Sequence, residues 1–208
     1  MYNLVIITSV INNFLYSVYS PQQRLEQTIS SIDSLVGKIP NPYVVLLEGS
    51  DLNDDQSDTL KNRVNEIHNI NVSGLHKSLG ELTLLQTYLN SLHFNSIKSN
   101  LYSLSKLSGR YRLNDNFKFI DTDLCMVKMT DKSWLGKGVY DTRFYKIPIT
   151  LVDNYITQLD VLYKNISNVH DIEHGFFEYQ LIPKDKINIV DKLGISGHFA
   201  PTGQYVED

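Results

Sequence analysis

One cysteine in 208 residues excludes an intramolecular disulfide and leaves too few thiolates for a thiolate metal site. That residue, Cys125, sits in the strand-like run LCMVKM, where a small buried side chain is expected. No stretch of Lys or Arg forms a basic run, and the net charge is -4, so a nucleic-acid backbone exerts no long-range attraction and no nucleic-acid partner is expected. Long apolar runs are missing too. The N-terminal MYNLVIITSVINNF lacks a basic leader and is cut short by Asn12 and Asn13. It reads as a buried strand and not a signal, no membrane span is expected, and the expected location is cytoplasmic. With only 11 Gly and 6 Pro, and no linker-like tract, nothing divides the chain. One domain is expected. Neither GxGxxG nor GxxxxGK[ST] follows the first apolar run, so a bound phosphate must be held in some other way.

What is present is a regular alternation. LVIITSV (4–10) is a continuous apolar run of strand length, as in a sheet covered on both faces. From Arg24, the residues Leu25, Ile29, Ile32 and Val36 fall at helical spacing, and Gly37 with Pro40 closes the segment. YVVLLEG (43–49) is a second buried strand, so strand, helix and strand form a βαβ unit. A helix through Leu60, Val64 and Ile67 leads to a short strand in NINVS, followed by helices through Leu82, Leu85 and Leu89 and through Ile97, Leu101 and Leu104. FKFIDTDLCMVKM and GVYDTRFYKIP read as strands, 149–166 as a helix, DIEHGFFEYQLI as another helix, and INIVDKLGISGHFA as a closing strand with a loop. This order predicts an α/β fold with a mixed, mostly parallel central sheet flanked by helices. In such sheets ligands sit beyond the carboxyl ends of the strands, which points to the loops after 10, after 47 and around 108–116.

Several side chains in those loops suit an anionic ligand. After the first strand come Thr8, Ser9, Asn12 and Asn13, and Arg24 opens the next helix. A guanidinium beside free helix N–H groups suits a diphosphate, although an arginine there is also at home in solvent. Glu48 ends the second strand, as a turn residue or as an acceptor from a base or ribose. Lys77, in LHKSLGEL, either serves the helix start or a ligand. KLSGRYRLNDNF (106–117) packs Gly109, Arg110, Tyr111, Arg112 and Asp115 together. In an extended segment Arg110 and Arg112 would share a face with Tyr111 packed inward.

The combination of R..QTISSI.SL, VVLLEGS, KSLGE, KLSGRYRLNDNF and TRFYKIP resembles GT-A-like glycosyltransferase domains of large algal DNA viruses and of some bacterial polysaccharide clusters. The resemblance implies a GT-A-type, Rossmann-like fold, with a nucleotide-sugar half (1–120) and an acceptor half (121–208). It implies a nucleotide-sugar donor, with a UDP-sugar favoured, and a glycan or glycoprotein acceptor. The location would be the host cytoplasm if the chain is viral. It also implies a divalent cation, Mn²⁺ or Mg²⁺, held in such enzymes by an Asp-x-Asp. Here Asp121 and Asp123 have that spacing, while Asp115 lies nearer the Ser-Gly-Arg-Tyr element and is preferred; His198, in SGHFAPTG, is a further candidate ligand. Ser9, Arg24, Glu48, Lys77, Arg110 and Asp115 are the expected donor contacts.

An inverting transfer needs a carboxylate to deprotonate the acceptor hydroxyl, and Glu173 in VHDIEHGFFEYQL is the choice, since Asp171 suits a helix cap. Trp134 and the aromatics of FYKIP and GFFEY suit either a sugar-stacking platform or the core. The alternatives are a non-catalytic nucleotide- or carbohydrate-binding module of a larger protein, and a structural virion protein with the fold but no ligand.

Overall fold

Strand β1 (Tyr2–Ser9) alternates its side chains between two cores: Leu4 and Ile6 enter one, Val5 and Ile7 the other, and all four are fully buried. That is why its sequence is apolar without alternation. The computed structural model describes residues 1–12, 17–132, 137–168, 171–199 and 202–208. Asn13 and Trp134 lie outside the described residues.

Helix α1 (Pro21–Asp33) begins three residues before Arg24, because Ser20 and Gln23 form a reciprocal capping box and Pro21 stands at the first turn. β2 (Pro42–Glu48) pairs parallel with β1 from Asn3–Pro42 through Ser9–Glu48. Helix α2 (Asp54–Lys61) is shorter than the apolar spacing predicts: Val64 follows it and Ile67 belongs to β3 (Glu66–Asn69), which replaces the strand expected at NINVS. Then come α3 (Lys77–Leu89), α4 (Leu92–Ile97) and β4 (Leu101–Ser108).

The helix expected through Leu101 and Leu104 is therefore a strand. The register with β1 jumps from Tyr2–Leu101 to Asn3–Ser103, and this irregularity at Tyr102 puts two leucines three apart into one core. A bulge of this kind mimics helical spacing. β5 (Tyr111–Leu113) follows at once. Residues 117–124 form no strand; β6 is only Cys125–Val127. The thiol of Cys125 is wholly buried and burial pushes its pKa far above the ordinary value.

A hairpin of β7 (Met129–Lys132) and β8 (Lys137–Tyr140) leads to β9 (Phe144–Pro148), α5 (Val152–Asn165) and α6 (Ile172–Glu178). The expected closing strand is two, β10 (Ile187–Ile189) and β11 (Ile195–His198), and β12 (Tyr205–Glu207) was not foreseen. The main sheet has the order β10-β6-β9-β4-β1-β2-β3, parallel except for β9. It draws strands from both sides of residue 120. A second sheet, β12-β11-β5, is antiparallel.

Candidate functional site

The chain leaves β1 toward β2 on one side and later returns to the other side as β4, so the strand order reverses at β1. β1 and β4 stay paired to their carboxyl ends, from Ile7–Leu107 to Thr8–Ser108, and in open sheets it is beyond those ends, at such a switch point, that a ligand crevice forms. A cleft of about 690 Å³ lies there, lined by the ends of β1 and β4, the loop after β2, and the start of α3.

Backbone packing builds its floor. Gly49 N donates to Ser9 O at 2.8 Å, and Gly109 N donates to Thr8 O at 2.9 Å. A Cβ at Gly109 would meet Thr8 O at 3.1 Å and Ser9 Cβ at 3.2 Å, so the glycine lets β4 turn directly against β1. That turn delivers Arg110 into the cleft while Tyr111 packs inward, 3% exposed. Arg112 leaves in another direction, its Nε 3.3 Å from Ser196 Oγ, and lines a separate depression with Asp115. The two arginines thus do not share a face, because Arg110 belongs to the turn and only Tyr111–Leu113 are strand.

Three cations converge on the cleft: Arg24, Lys77 and Arg110. Arg24 is 5% exposed, and its guanidinium is pushed down to about 9 by burial and then by the charge of Arg110, against the pull of Glu48. A guanidinium keeps its proton in proteins, so this depression marks a cation that is first desolvated and then crowded by a like charge, both of which a bound anion would relieve. Lys77 opens α3 at the cleft rim. As a residue it is exposed, yet its ammonium lies among the cleft walls. That partial burial and the nearby Arg110 lower its pKa, while Glu173 and Glu81 oppose the shift. His76, the N-cap of α3, makes no side-chain cap, so the helix start keeps its backbone donors on the cleft side.

Beneath the cations runs a carboxylate layer. Glu48 is fully buried below the lining; its Oε1 accepts from Ile11 N at 2.8 Å, from Ser50 N at 3.0 Å and from the Ser50 hydroxyl. It clamps the two loops that form the cleft wall, and burial raises its pKa despite those donors. Glu81, in α3, pairs with the fully buried Lys106 of β4. Burial pushes the Glu81 carboxyl upward, but Lys106, Lys77 and Arg110 outweigh this and hold it below its ordinary value. Lys106 Nζ also donates to Ser108 Oγ at 2.8 Å and to Thr142 O at 2.7 Å. Sequence reading passed over Lys106; its place between Leu104 and Leu107 was the available signal.

Ser9, Arg24, Lys77 and Arg110 all line the cleft, and Glu48 supports it from below. Glu173, in the first turn of α6, stands near enough to Lys77 to raise the pKa of its ammonium, where Ile172 N donates to Ser78 Oγ at 3.3 Å. The expected metal ligands are not gathered there. Asp115 is fully exposed on the α1 side, 3.2 Å from Lys38 Nζ. Asp121 and Asp123 are exposed in the segment before β6, where they act on Tyr102, at the far end of β4 from the cleft, and on Lys146. His198 packs edge-on against Tyr19 and Tyr205, with Nδ1 3.3 Å from Gly203 O, behind the segment that carries Ser17 and Val18 into the wall.

A hard divalent cation needs carboxylate oxygens. Among the described residues that line the cleft the one carboxylate is Glu81, engaged by Lys106 and faced by Arg110 and Lys77. These residues do not fit a divalent cation. Among the described residues, the one cluster of at least three His, Cys, Asp or Glu ligand atoms within 4.8 Å of one another is Glu66, His68 and His93, none of which lines the cleft.

No protein-family model matches the chain, and no curated protein does. Solved structures do. The glycosyltransferase GlyE of Streptococcus pneumoniae TIGR4 superposes with a TM-score of 0.52 at 12% identity, over 91% of this chain and 45% of GlyE. Its apo form gives 0.51 at 11% identity over the same shares. A glycosyltransferase involved in the glycosylation of the major capsid of PBCV-1 gives 0.51 at 8% identity, over 91% of this chain and 82% of that one. The chain spans less than half the length of GlyE. The fold is that of these glycosyltransferases, as the resemblance implied; at such identities the likeness speaks for fold alone.

Proposed function

We propose that the chain is a glycosyltransferase that binds a nucleotide diphosphate sugar in the switch-point cleft, with a UDP-sugar favoured, and transfers the sugar to a glycan or glycoprotein hydroxyl. The observation that carries this reading is the convergence of Arg24, Lys77 and Arg110 on a cleft whose one described carboxylate is already paired. Such a cleft suits a diphosphate, because charge-assisted donors in a partly enclosed site stabilise both the bound anion and the charge that grows as it leaves. In this scheme the acceptor oxygen attacks the anomeric carbon and its proton passes to Glu173. The bond to the diphosphate breaks with its electron pair leaving on the phosphate oxygen, which the three cations neutralise.

Because the described residues of the lining do not fit a divalent cation, donor binding is expected to need none. Calorimetry with UDP-, GDP- and dTDP-sugars, each with Mn²⁺ and with EDTA, tests this. One donor should bind equally in both, and Arg110→Ala should weaken it by about 10- to 100-fold, the worth of a charge-assisted contact. If no nucleotide diphosphate binds, the cleft is not a donor site. Binding without turnover, unaltered by Glu173→Gln, would favour the reading as a non-catalytic module.

A further inference from the structure

At one edge of the main sheet lies β3, and its alternating Glu66 and His68, neither of which lines the cleft, point to one side. His93, in the first turn of α4, meets them. Nε2 of His68 lies 2.7 Å from Glu66 Oε2, and Nε2 of His93 lies 2.6 Å from Glu66 Oε1. The Glu66 side chain is 14% exposed, His68 33% and His93 45%, so the group is enclosed on one side and open to solvent on the other. Two surroundings fix it in place. The Tyr43 hydroxyl donates to Glu66 Oε1, and the ring of Tyr88 lies edge-on to His68 with centroids 4.9 Å apart.

We propose that Glu66, His68 and His93 form a binding site for a borderline transition-metal ion, Zn²⁺ foremost, with solvent as the fourth ligand. Two imidazole nitrogens and one carboxylate are a zinc donor set, and the pair of imidazoles disfavours Mg²⁺ and Ca²⁺. Tetrahedral bonds of about 2.0–2.1 Å place ligand atoms roughly 3.4 Å apart. The present nitrogen–oxygen separations need to open by less than an ångström, as the metal replaces the protons now shared between them. The proposal does not rest on the transfer reaction and stands or falls independently of it.

Its effect is structural. The α4 helix has Phe94 as its single buried residue, so it is lightly anchored, and a metal would tie it to the sheet edge across the span that contains α3. Holding two ligands from β3 and one from α4 stabilises the native state by mass action.

The experiment titrates EDTA-dialysed protein with Zn²⁺, and in parallel with Mg²⁺, by calorimetry and thermal melting. One Zn²⁺ per chain is expected. The melting temperature should rise by about 5–10 °C at a hundred-fold excess over the dissociation constant, with no response to Mg²⁺. His93→Ala, at a half-exposed position, should remove the response while leaving the metal-free melt near that of the parent; His68→Gln should do the same. A Co²⁺ complex should show the visible absorption of a four-coordinate ion in the parent alone. No Zn²⁺ uptake, or a zinc response that persists in His93→Ala, overturns the site.

Discussion

At the scale of single residues, the cleft separates two effects of one charge. Between its lowered pKa and the ordinary value of 10.5, Lys77 carries fewer protons in the native chain than in the unfolded one. Its contribution to stability therefore rises with pH across that window. Affinity for a diphosphate should run the opposite way, falling as pH climbs through the same window and the ammonium is lost. Measuring nucleotide diphosphate affinity and melting temperature from pH 7 to 10.5 checks both signs, and Lys77→Arg should flatten the affinity curve. An affinity that stays constant across the window, or that falls just as steeply in Lys77→Arg, would dissociate Lys77 from the ligand. The residues themselves were unevenly legible. Gly109 and Arg110 could be singled out, because a glycine and cations gathered in a polar loop between regular elements have a local physical reason, although the strand that ends there was read as a helix. Asp115, Asp121 and Asp123 could not be placed, since spacing fixes neither which face a loop presents nor which end of a strand it covers: Asp115 lies beside Lys38, and Asp121 beside Tyr102.

At the scale of elements, β4 and α3 are joined by the Lys106–Glu81 pair at the heart of the site. Removing one member leaves an uncompensated charge in the interior, so Lys106→Met should cost about 3–5 kcal/mol in urea unfolding. Glu81→Leu combined with it should recover most of the loss, because the apolar pair needs no desolvation of charge. An additive double variant would show that the two groups act separately. The same strand shows where element reading fails. Leu101 and Leu104 carry helical spacing, yet the bulge at Tyr102 makes them neighbours in a sheet core. By contrast β1 and β2 were legible from burial by layers on both sides, and the body of α1 from its apolar spacing, whereas its first turn was missed although the capping box is written in four consecutive residues, Ser20 to Gln23.

At the scale of the whole molecule, the sheet is protected from its centre outward. β1 has paired strands on both sides and cores on both faces, whereas β3 and β10 end the sheet. Hydrogen exchange should therefore leave the amides of Val5, Ile7 and Leu46 for last and open β3 and β10 first; equal rates across the sheet would contradict this layering. The overall architecture was readable from strand and helix order, while the antiparallel direction of β9 and the late sheet β12-β11-β5 were not, because pairing partners distant in sequence leave no local period. The buried thiol of Cys125 has a practical consequence at this scale. Its isolation leaves the native chain silent toward maleimides, so a cysteine placed at Ser17 on the cleft wall would be the sole point of attachment for a fluorophore. Whether a nucleotide diphosphate enters the cleft could then be read in solution without first stripping the protein of any residue of its own.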